Sequence, residues 1–396
     1  VHPVNFRGPA PVSPDFQPLV FTPTLIRKAL FGFPSDNWPR TTATPPAHVA
    51  SIGSVTNFAD RLMMWSNFHT ATNTINWAVL DTYVANARAA GVTEGKYQVY
   101  GTPAFLASTG AGTLGPYGLL GECAYPGNGD ASLAQTTYFC TQFAQRNISA
   151  WGRFFTLISA GNEMDWRQTT GPLVFWWGTR AQYVDFAWAV RAAFEAADPA
   201  MRIGSAGTFK LYATDNGLDQ IMNQSGTVFP TKTGKDVFEI FCGHPYGAGP
   251  SPAQPNQSGD FLSNSSGGIR EASAFLNLYG KTMQGYVADE WGVSNSNDVG
   301  TVLAQFLAQS ATFRSNFIER MFMMAPMQGC QGIYPWYHSS SGAGSLSGNW
   351  VTDTTGVING YIQASTNLVG KTAVAGGYFK DGRVSLTFSD GTSRTV

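Results

Sequence analysis

The chain reads as a (β/α)8 barrel with long βα loops and a small β-rich terminal appendage, and three observations carry that reading. Eight short β-like apolar runs alternate with segments of helical periodicity along the 396 residues, the pattern of repeated βα units around a parallel sheet. Segments that follow the runs are long and polar, whereas those that precede them are mostly short. Two runs end on a glutamate, in Gly161-Asn162-Glu163 and in Ala288-Asp289-Glu290-Trp291-Gly292, at the strand end where α/β barrels place their chemistry.

In chain order the candidate strands are 28–33, 59–65, 97–105, 154–162, 202–207, 237–244, 284–290 and 332–336. The helical segments between and after them are 77–90, 133–146, 180–197, 269–279, 302–324 and 357–368. Within 180–197, Val184, Phe186, Ala187, Val190 and Phe194 recur at helical spacing and mark one buried face. The first helix is poorly marked, because Pro45-Pro46 interrupts where it should begin. Loops 110–130, 247–268 and 339–353 are rich in Gly, Pro, Ser and Asn and would rim the catalytic face. Past the last helix, 374–379 and 383–388 flank Lys380-Asp381-Gly382, a hairpin signal. The expected organisation is an N-terminal extension over 1–26, the barrel over 27–370 and a C-terminal hairpin appendage over 371–396, with 19–22 available to join that appendage.

Composition excludes several partners. Net charge is −1 and only 12% of residues are charged, so nothing predicts binding to nucleic acid or to an anionic membrane. No apolar run approaches the ~20 residues of a membrane span. Aromatic residues make up 13% of the chain, with 11 Trp and 27 Phe; core packing accounts for most, and the remainder suits stacking on apolar sugar faces. The start, Val1-His2-Pro3-Val4, lacks a basic-then-apolar signal pattern, so any export signal is expected to have been removed already, and low lysine with a surface rich in Gly, Ser and Asn leans towards a secreted or periplasmic protein. Asn-x-Ser/Thr sequons stand at Asn147, Asn223, Asn256 and Asn264. Cys123 and Cys140 bracket a Gly- and Pro-rich loop and would suit a disulfide, whereas Cys242 and Cys330 lie in apolar runs and read as buried, unreactive thiols.

Two carboxylates at strand ends suggest glycoside cleavage, in which one acid protonates the leaving oxygen and a second carboxylate attacks the anomeric carbon. Glu163 takes the acid/base role and Glu290 the nucleophile role, with Asn162 placed to bind the sugar 2-hydroxyl. Asp165 and Asp289 compete for these roles. Strand alternation sends Asp289 and Glu290 to opposite faces, and the small Ala288, which shares the parity of Glu290, favours Glu290 as the inward residue. Arg61 is a cation in an apolar run and needs a partner, either the nucleophile or a structural acid such as Asp60. His244 and Tyr246 follow the sixth run and can hydrogen-bond a catalytic carboxylate, although a satisfied core histidine reads equally well. Trp65, Phe105, Trp166, Trp291, Tyr334 and Trp336 are the candidate sugar-stacking aromatics.

Other chemistries lack their signals. There is no G-x-S-x-G elbow, no H-E-x-x-H and no paired C-x-x-C. The five histidines show no metal-ligand spacing and no glycine-rich dinucleotide loop follows the first run, so neither metal nor cofactor is expected and the partner is a carbohydrate.

These motifs, in their order, resemble clan A glycoside hydrolases, and most of all family 39, which includes β-xylosidases, α-L-iduronidases and bacterial exopolysaccharide endoglycosidases. The likeness runs through Asp60-Arg61-Leu62-Met63-Met64-Trp65, Trp77 with Leu80-Asp81, Tyr100-Gly101-Thr102-Pro103-Ala104-Phe105 and Gly161-Asn162-Glu163. It continues through Phe175-Trp176-Trp177-Gly178-Thr179, Asp198-Pro199, His244-Pro245-Tyr246 and Glu290-Trp291-Gly292. Met164 stands where the family usually has proline, and Asp289 where a small or hydroxyl residue is commoner. Families 5, 30 and 79 of the clan are the alternative homes. The resemblance implies a retaining hydrolase of a polysaccharide or oligosaccharide, favoured here as endo-acting on an extracellular glycan. An exo-glycosidase, a transglycosylase and a non-catalytic sugar-binding barrel are the alternatives.

Overall fold

The computed structural model describes residues 15–34, 53–56, 63–115, 119–127, 132–164, 175–207, 218–244, 275, 278–279, 285–291, 306, 308–335 and 355–396. In chain order the strands and helices begin with β1 (Phe16–Leu19), β2 (Thr24–Leu25), β3 (Gly32–Pro34) and β4 (Ser54–Thr56). A small ribbon, β5 (His69–Ala71) and β6 (Thr74–Ile75), leads into α1 (Ala78–Ala89) and β7 (Glu94–Gln98). Then follow α2 (Ala134–Ser149), β8 (Phe155–Ser159), α3 (Arg180–Ala197), β9 (Arg202–Gly204), α4 (Leu218–Asn223), α5 (Gly234–Val237) and β10 (Ile240–Gly243). The last elements are β11 (Gly285–Trp291), α6 (Ala311–Met327), β12 (Cys330–Pro335), α7 (Val357–Leu368), β13 (Thr372–Phe379), β14 (Val384–Phe388) and β15 (Ser393–Thr395).

Eight strands form one sheet in the order β12-β11-β10-β9-β8-β7-β4-β3, and every pair in it is parallel. A parallel bridge between Phe31, just before β3, and Ile333 of β12 joins the first strand to the last. Closure removes both edges of this sheet, so none of its strands is left as a template for mispairing. Apart from a register shift in β8 between Phe155 and Leu157, alternate residues divide between two environments. Leu157, Ile240, Cys242, Val287 and Tyr334 pack together as a small cluster on the inside. Phe155, Ile158, Phe241, Tyr286, Ala288 and Ile333 belong to the much larger core under the helices.

Helix α3 matches its expected span because its start is fixed chemically as well as by periodicity. Thr179 accepts the Gln182 N–H at 3.1 Å while the Gln182 side chain accepts the Thr179 N–H at 2.8 Å, a capping box that satisfies two otherwise unpaired donors. Helix α7 also occupies the expected span. Helix α6 is defined from Ala311 onwards, since the Ser310 hydroxyl accepts the Phe313 N–H at 3.1 Å and so caps a helix expected to begin at 302. Of the expected helix 269–279, only Phe275, Leu278 and Tyr279 are described, and they are helical.

Several expected strands are displaced. The second barrel strand is β4; of the expected strand 59–65 only 63–65 are described, and they are not in the ladder. Met63, Met64 and Trp65 at the end of that run are buried, but Trp65 starts a single 3-10 turn whose Trp65 and Ser66 N–H groups bond the carbonyls of Tyr100 and Gly101. Apolar composition there marks burial under the loop after β7, not a place in the ladder. The third strand begins at Glu94 and ends at Gln98 rather than running to 105. Before β10, the Asp236 carboxylate accepts the Thr233 N–H at 2.8 Å and winds 234–237 into a helical turn, so the strand starts three residues later than expected.

Outside the barrel, β13 and β14 pair antiparallel, β15 extends the sheet, and β1 and β2 from the start of the chain pair with β13. The sheet is pinned to the helices by Glu319 of α6, a fully buried carboxylate that receives Arg394 of β15 at 2.8 and 2.7 Å and Asn367 of α7 at 2.8 Å. This bidentate pairing holds the Arg394 guanidinium above its usual pKa through the Glu319 hydrogen bonds.

The expected Cys123–Cys140 bridge is not formed; all four cysteines are free and buried. Cys140 lies inside the core on α2, whereas Cys123 sits with Tyr100, whose hydroxyl is 3.3 Å from its sulfur. Burial pushes all four thiols up, Cys330 to about 12, which keeps them unreactive. The Asn147 sequon is closed to modification in the folded chain, because its buried amide bonds both the N–H and the carbonyl of Phe155 at 3.0 and 2.8 Å. Among the described residues no helix is long and apolar enough to cross a membrane.

Candidate functional site

The site is assembled from the ends of successive strands. After β8 the chain passes through Gly161 at φ +93°, where a Cβ would lie 1.8 Å from the Met164 side chain. Pairing with the neighbouring strand then resumes. Asn162 bridges Gly207 after β9, and the Glu163 N–H donates to the Gly207 carbonyl at 2.7 Å. Glu163 itself has φ +41°. A left-handed conformation at a residue with a side chain is uncommon and costs free energy, and such strain concentrates at functional sites.

The carboxyl of Glu163 is 5% exposed and its Oε1 stands 2.9 Å from Nδ1 of His244, the residue after β10. The imidazole reaches across because position 207 has no side chain; a Cβ there would lie 2.0 Å from His244 Nε2. Asn162 is 1% exposed and, among the described residues, neither atom of its amide has a hydrogen-bond partner. A buried amide with both groups unpaired is rare in a folded protein.

Asp289 overturns the alternation argument. It points into the barrel, where its Oδ2 is 2.5 Å from Lys96 Nζ of β7 and 3.5 Å from Gln98 Nε2, and its Oδ1 is 3.6 Å from His244 Nε2. Ala288 is therefore on the outer, helix-facing side with Tyr286. Strict alternation also fails beyond this point: Ala288 pairs Ile333 and Trp291 pairs Pro335, so three steps on β11 face two on β12. Such a bulge re-aims side chains at the strand end. Glu290 and Trp291 are the last two residues of this strand.

Of the aromatic candidates, Tyr334 is 6% exposed on the inner face, lying over Gly32. Trp65 packs in the core and also lines a small cavity: it is 1% exposed, stacked on Phe186, and donates its indole N–H to His69 Nδ1 at 3.2 Å. Phe105 is half-buried and meets His69 edge-on. Arg61, Asp165, Trp166, Tyr246 and Trp336 lie outside the described residues, as do the side chains of Glu290 and Trp291.

Two features escaped the sequence reading. Lys96 and Gln98 put polar groups inside the barrel, and the signal was there: Glu94, Lys96 and Gln98 alternate with Gly95 and Tyr97, whereas a parallel strand buried on both faces is normally apolar throughout. Glu122, 2% exposed, accepts the Tyr100 hydroxyl at 3.0 Å and the Leu119 N–H at 3.3 Å. With Trp65, Tyr100, Thr102, Cys123 and Met164 it lines a small cavity. Among the described residues, no group of three or more His, Cys, Asp or Glu side chains is placed to hold a metal ion.

No family model matches the chain, and neither does any curated protein. Solved structures do. A glucosidase from Croceicoccus marinus superposes with a TM-score of 0.54 at 15% identity, over 94% of this chain and 76% of that one. A conserved exported protein from Bacteroides fragilis gives 0.58 at 11% identity, over 94% and 87%. The catalytic domain of GH30 xylanase C from Talaromyces cellulolyticus gives 0.52 at 14% identity, over 93% and 84%. The chain is a (β/α)8 barrel. In this barrel Glu163, Gly207, His244 and Asp289 stand at or beyond the ends of four successive strands, β8 to β11, so the polar groups gather at one mouth.

Proposed function

We propose that the barrel is a retaining O-glycoside hydrolase that cleaves a polysaccharide or oligosaccharide by double displacement. The observation that carries this reading is Glu163: a carboxyl at the end of a barrel strand, in strained backbone, hydrogen-bonded to a buried histidine. In the first step Glu290 attacks the anomeric carbon while Glu163 protonates the leaving oxygen. In the second, Glu163 takes a proton from the water that displaces Glu290. The unpaired amide of Asn162 suits a sugar hydroxyl, which would satisfy its donor and acceptor.

Arg61 and Tyr246 are proposed to steady the nucleophile. Trp166, Trp291, Tyr334 and Trp336 are proposed as the aromatic floor of the subsites. The neighbours named as a glucosidase and a xylanase support this chemistry through the shared barrel. The finer reading is a family 39-like, endo-acting enzyme on an extracellular glycan, in a secreted or periplasmic setting. A panel of aryl glycosides and soluble polysaccharides, with reducing ends counted and product size followed, tests it. Release of monosaccharide alone points to exo action, and transfer to added sugar acceptors points to a transglycosylase. Binding without turnover across the panel sinks the catalytic reading.

A further inference from the structure

The buried lysine inside the barrel has no place in the two-step reaction described above. Lys96 is 1% exposed, and its ammonium lies 2.5 Å from Asp289 with both side chains fully buried. Removing both charges from water carries a penalty that their attraction offsets only in good geometry, and a well-packed apolar pair often serves stability as well. What an apolar pair lacks is a direction for the neighbouring ring.

That ring is His244. Its Nε2 is 3.6 Å from Asp289 Oδ1, on the opposite side from the Nδ1 contact to Glu163. The distance is outside hydrogen-bond length, but charge acts across it in a dry interior. A lone pair on Nε2 would face a carboxylate oxygen of Asp289, whereas an N–H there is attracted. Nδ1 then either accepts a hydrogen bond from the Glu163 carboxyl or, in the imidazolium, donates one to Oε1. Both hold Oε1 in place, and where the imidazolium donates to Oε1 the other oxygen, Oε2, is free to give a proton to the leaving group or to take one from water.

We propose that Asp289, with Lys96 as its counter-ion, is a positioning residue that fixes the orientation and tautomer of His244 and, through it, the carboxyl of Glu163. The consequence for turnover rests on Glu163 being the acid/base; the consequence for the ring does not.

The test is nitrogen NMR of the folded protein labelled with 15N-histidine, with the His244 signals assigned from His244→Gln. The wild-type ring should carry its proton on Nε2, or on both nitrogens. A neutral ring protonated on Nδ1 overturns the proposal without any variant. In Lys96→Met/Asp289→Leu, which replaces the pair by apolar side chains, the tautomer should shift towards Nδ1–H. On the fastest aryl glycoside of the panel and its alkyl counterpart, kcat for the alkyl glycoside should fall about tenfold or more, with the aryl glycoside less affected and KM steady. Lys96→Met/Asp289→Asn keeps an acceptor facing Nε2 and should restore the wild-type ring signals, and it serves where the apolar double variant does not fold. Ring signals and leaving-group dependence unchanged in the apolar variant would mean that the ion pair only fills space. Should the protein cleave no glycoside while the ring behaves as expected, the reaction assignment fails and the positioning role stands.

Discussion

Nδ1 of His244 and Oε1 of Glu163 lie 2.9 Å apart, and this contact ties the end of β10 to the end of β8 over the top of β9. It exists because residue 207 is a glycine and because Glu163 takes a left-handed turn instead of continuing the strand. The carboxyl is thereby aimed by backbone strain on one side and an imidazole on the other. A side chain held from two directions loses little freedom when a substrate arrives, which is the preorganisation a proton-transferring group needs.

The strain can be measured. Glycine adopts positive φ without steric cost, whereas residues with a Cβ pay about 1–2 kcal/mol there. Glu163→Gly and Glu163→Ala both remove the carboxyl, so their comparison isolates the backbone. Glu163→Gly should be the more stable in urea unfolding by about 1 kcal/mol. The reverse order would mean that the left-handed conformation is not the one the chain adopts.

Substitution of the two glutamates should separate their roles. Glu290→Ala should abolish turnover while leaving the fold intact, and azide should restore part of it with inverted anomeric configuration. Glu163→Ala should impair substrates with poor leaving groups by about 10²–10⁴-fold and activated aryl glycosides far less, since the latter need little protonation. Carboxyls about 5–5.5 Å apart predict retained configuration in the wild-type product, which proton NMR of early product reports. Equal losses for both leaving groups, or inverted product, would break the assignment.

Asp185 of α3 should be a stability hot spot away from the proposed chemistry. It is fully buried, and its carboxylate accepts the N–H groups of Thr227, Val228 and Phe229 at 2.9 Å each. Asp185→Ala removes the shared acceptor of three half-buried or exposed donors, each worth about 1 kcal/mol where water can partly replace the carboxylate, so a loss of about 2 kcal/mol or more is expected. Asp185→Asn keeps an acceptor and should lose less. A loss below 1 kcal/mol for the alanine variant would show that the loop finds other partners.

How much of this was legible in the sequence follows from what each signal measures. Helical periodicity is local, so 180–197 and 357–368 stood out. The strand before Glu163 was equally plain, because Phe155, Leu157 and Ile158 lead straight into Gly161. Apolar runs are less specific, and Met63, Met64 and Trp65 are buried without belonging to a strand. Alternation gave the wrong face for Asp289, because its inward direction is set by a lysine four strands away around the barrel and by a bulge in β11. Neither the partner nor the bulge is local in sequence. The Cys123–Cys140 pairing failed for the same kind of reason: loop composition says nothing about which side of the core each thiol enters.

The last expectation concerns acid stability and a second histidine. His69 is fully buried, stacked on Phe139 with Phe105 at its edge, and its Nδ1 accepts the indole N–H of Trp65. Burial lowers its pKa from 6.5 to about 4. In the unfolded chain the imidazole binds a proton below about pH 6.5, whereas in the folded chain it stays neutral until about pH 4. Across that window the unfolded state binds more protons, so stability rises with pH and is lost as pH falls from 6.5 to 4. The full effect is about 3 kcal/mol, with plateaus on either side of the window. His69→Phe cannot titrate, so the difference in unfolding free energy between it and wild type isolates this group from the carboxylates. Urea unfolding at pH 3.5 to 7.5 should show wild type losing ground to the variant between pH 6.5 and 4 and keeping a constant offset above and below. A difference that stays flat through the window would mean that His69 takes up its proton in the folded state without penalty, and the sealed aromatic environment described for it would be wrong.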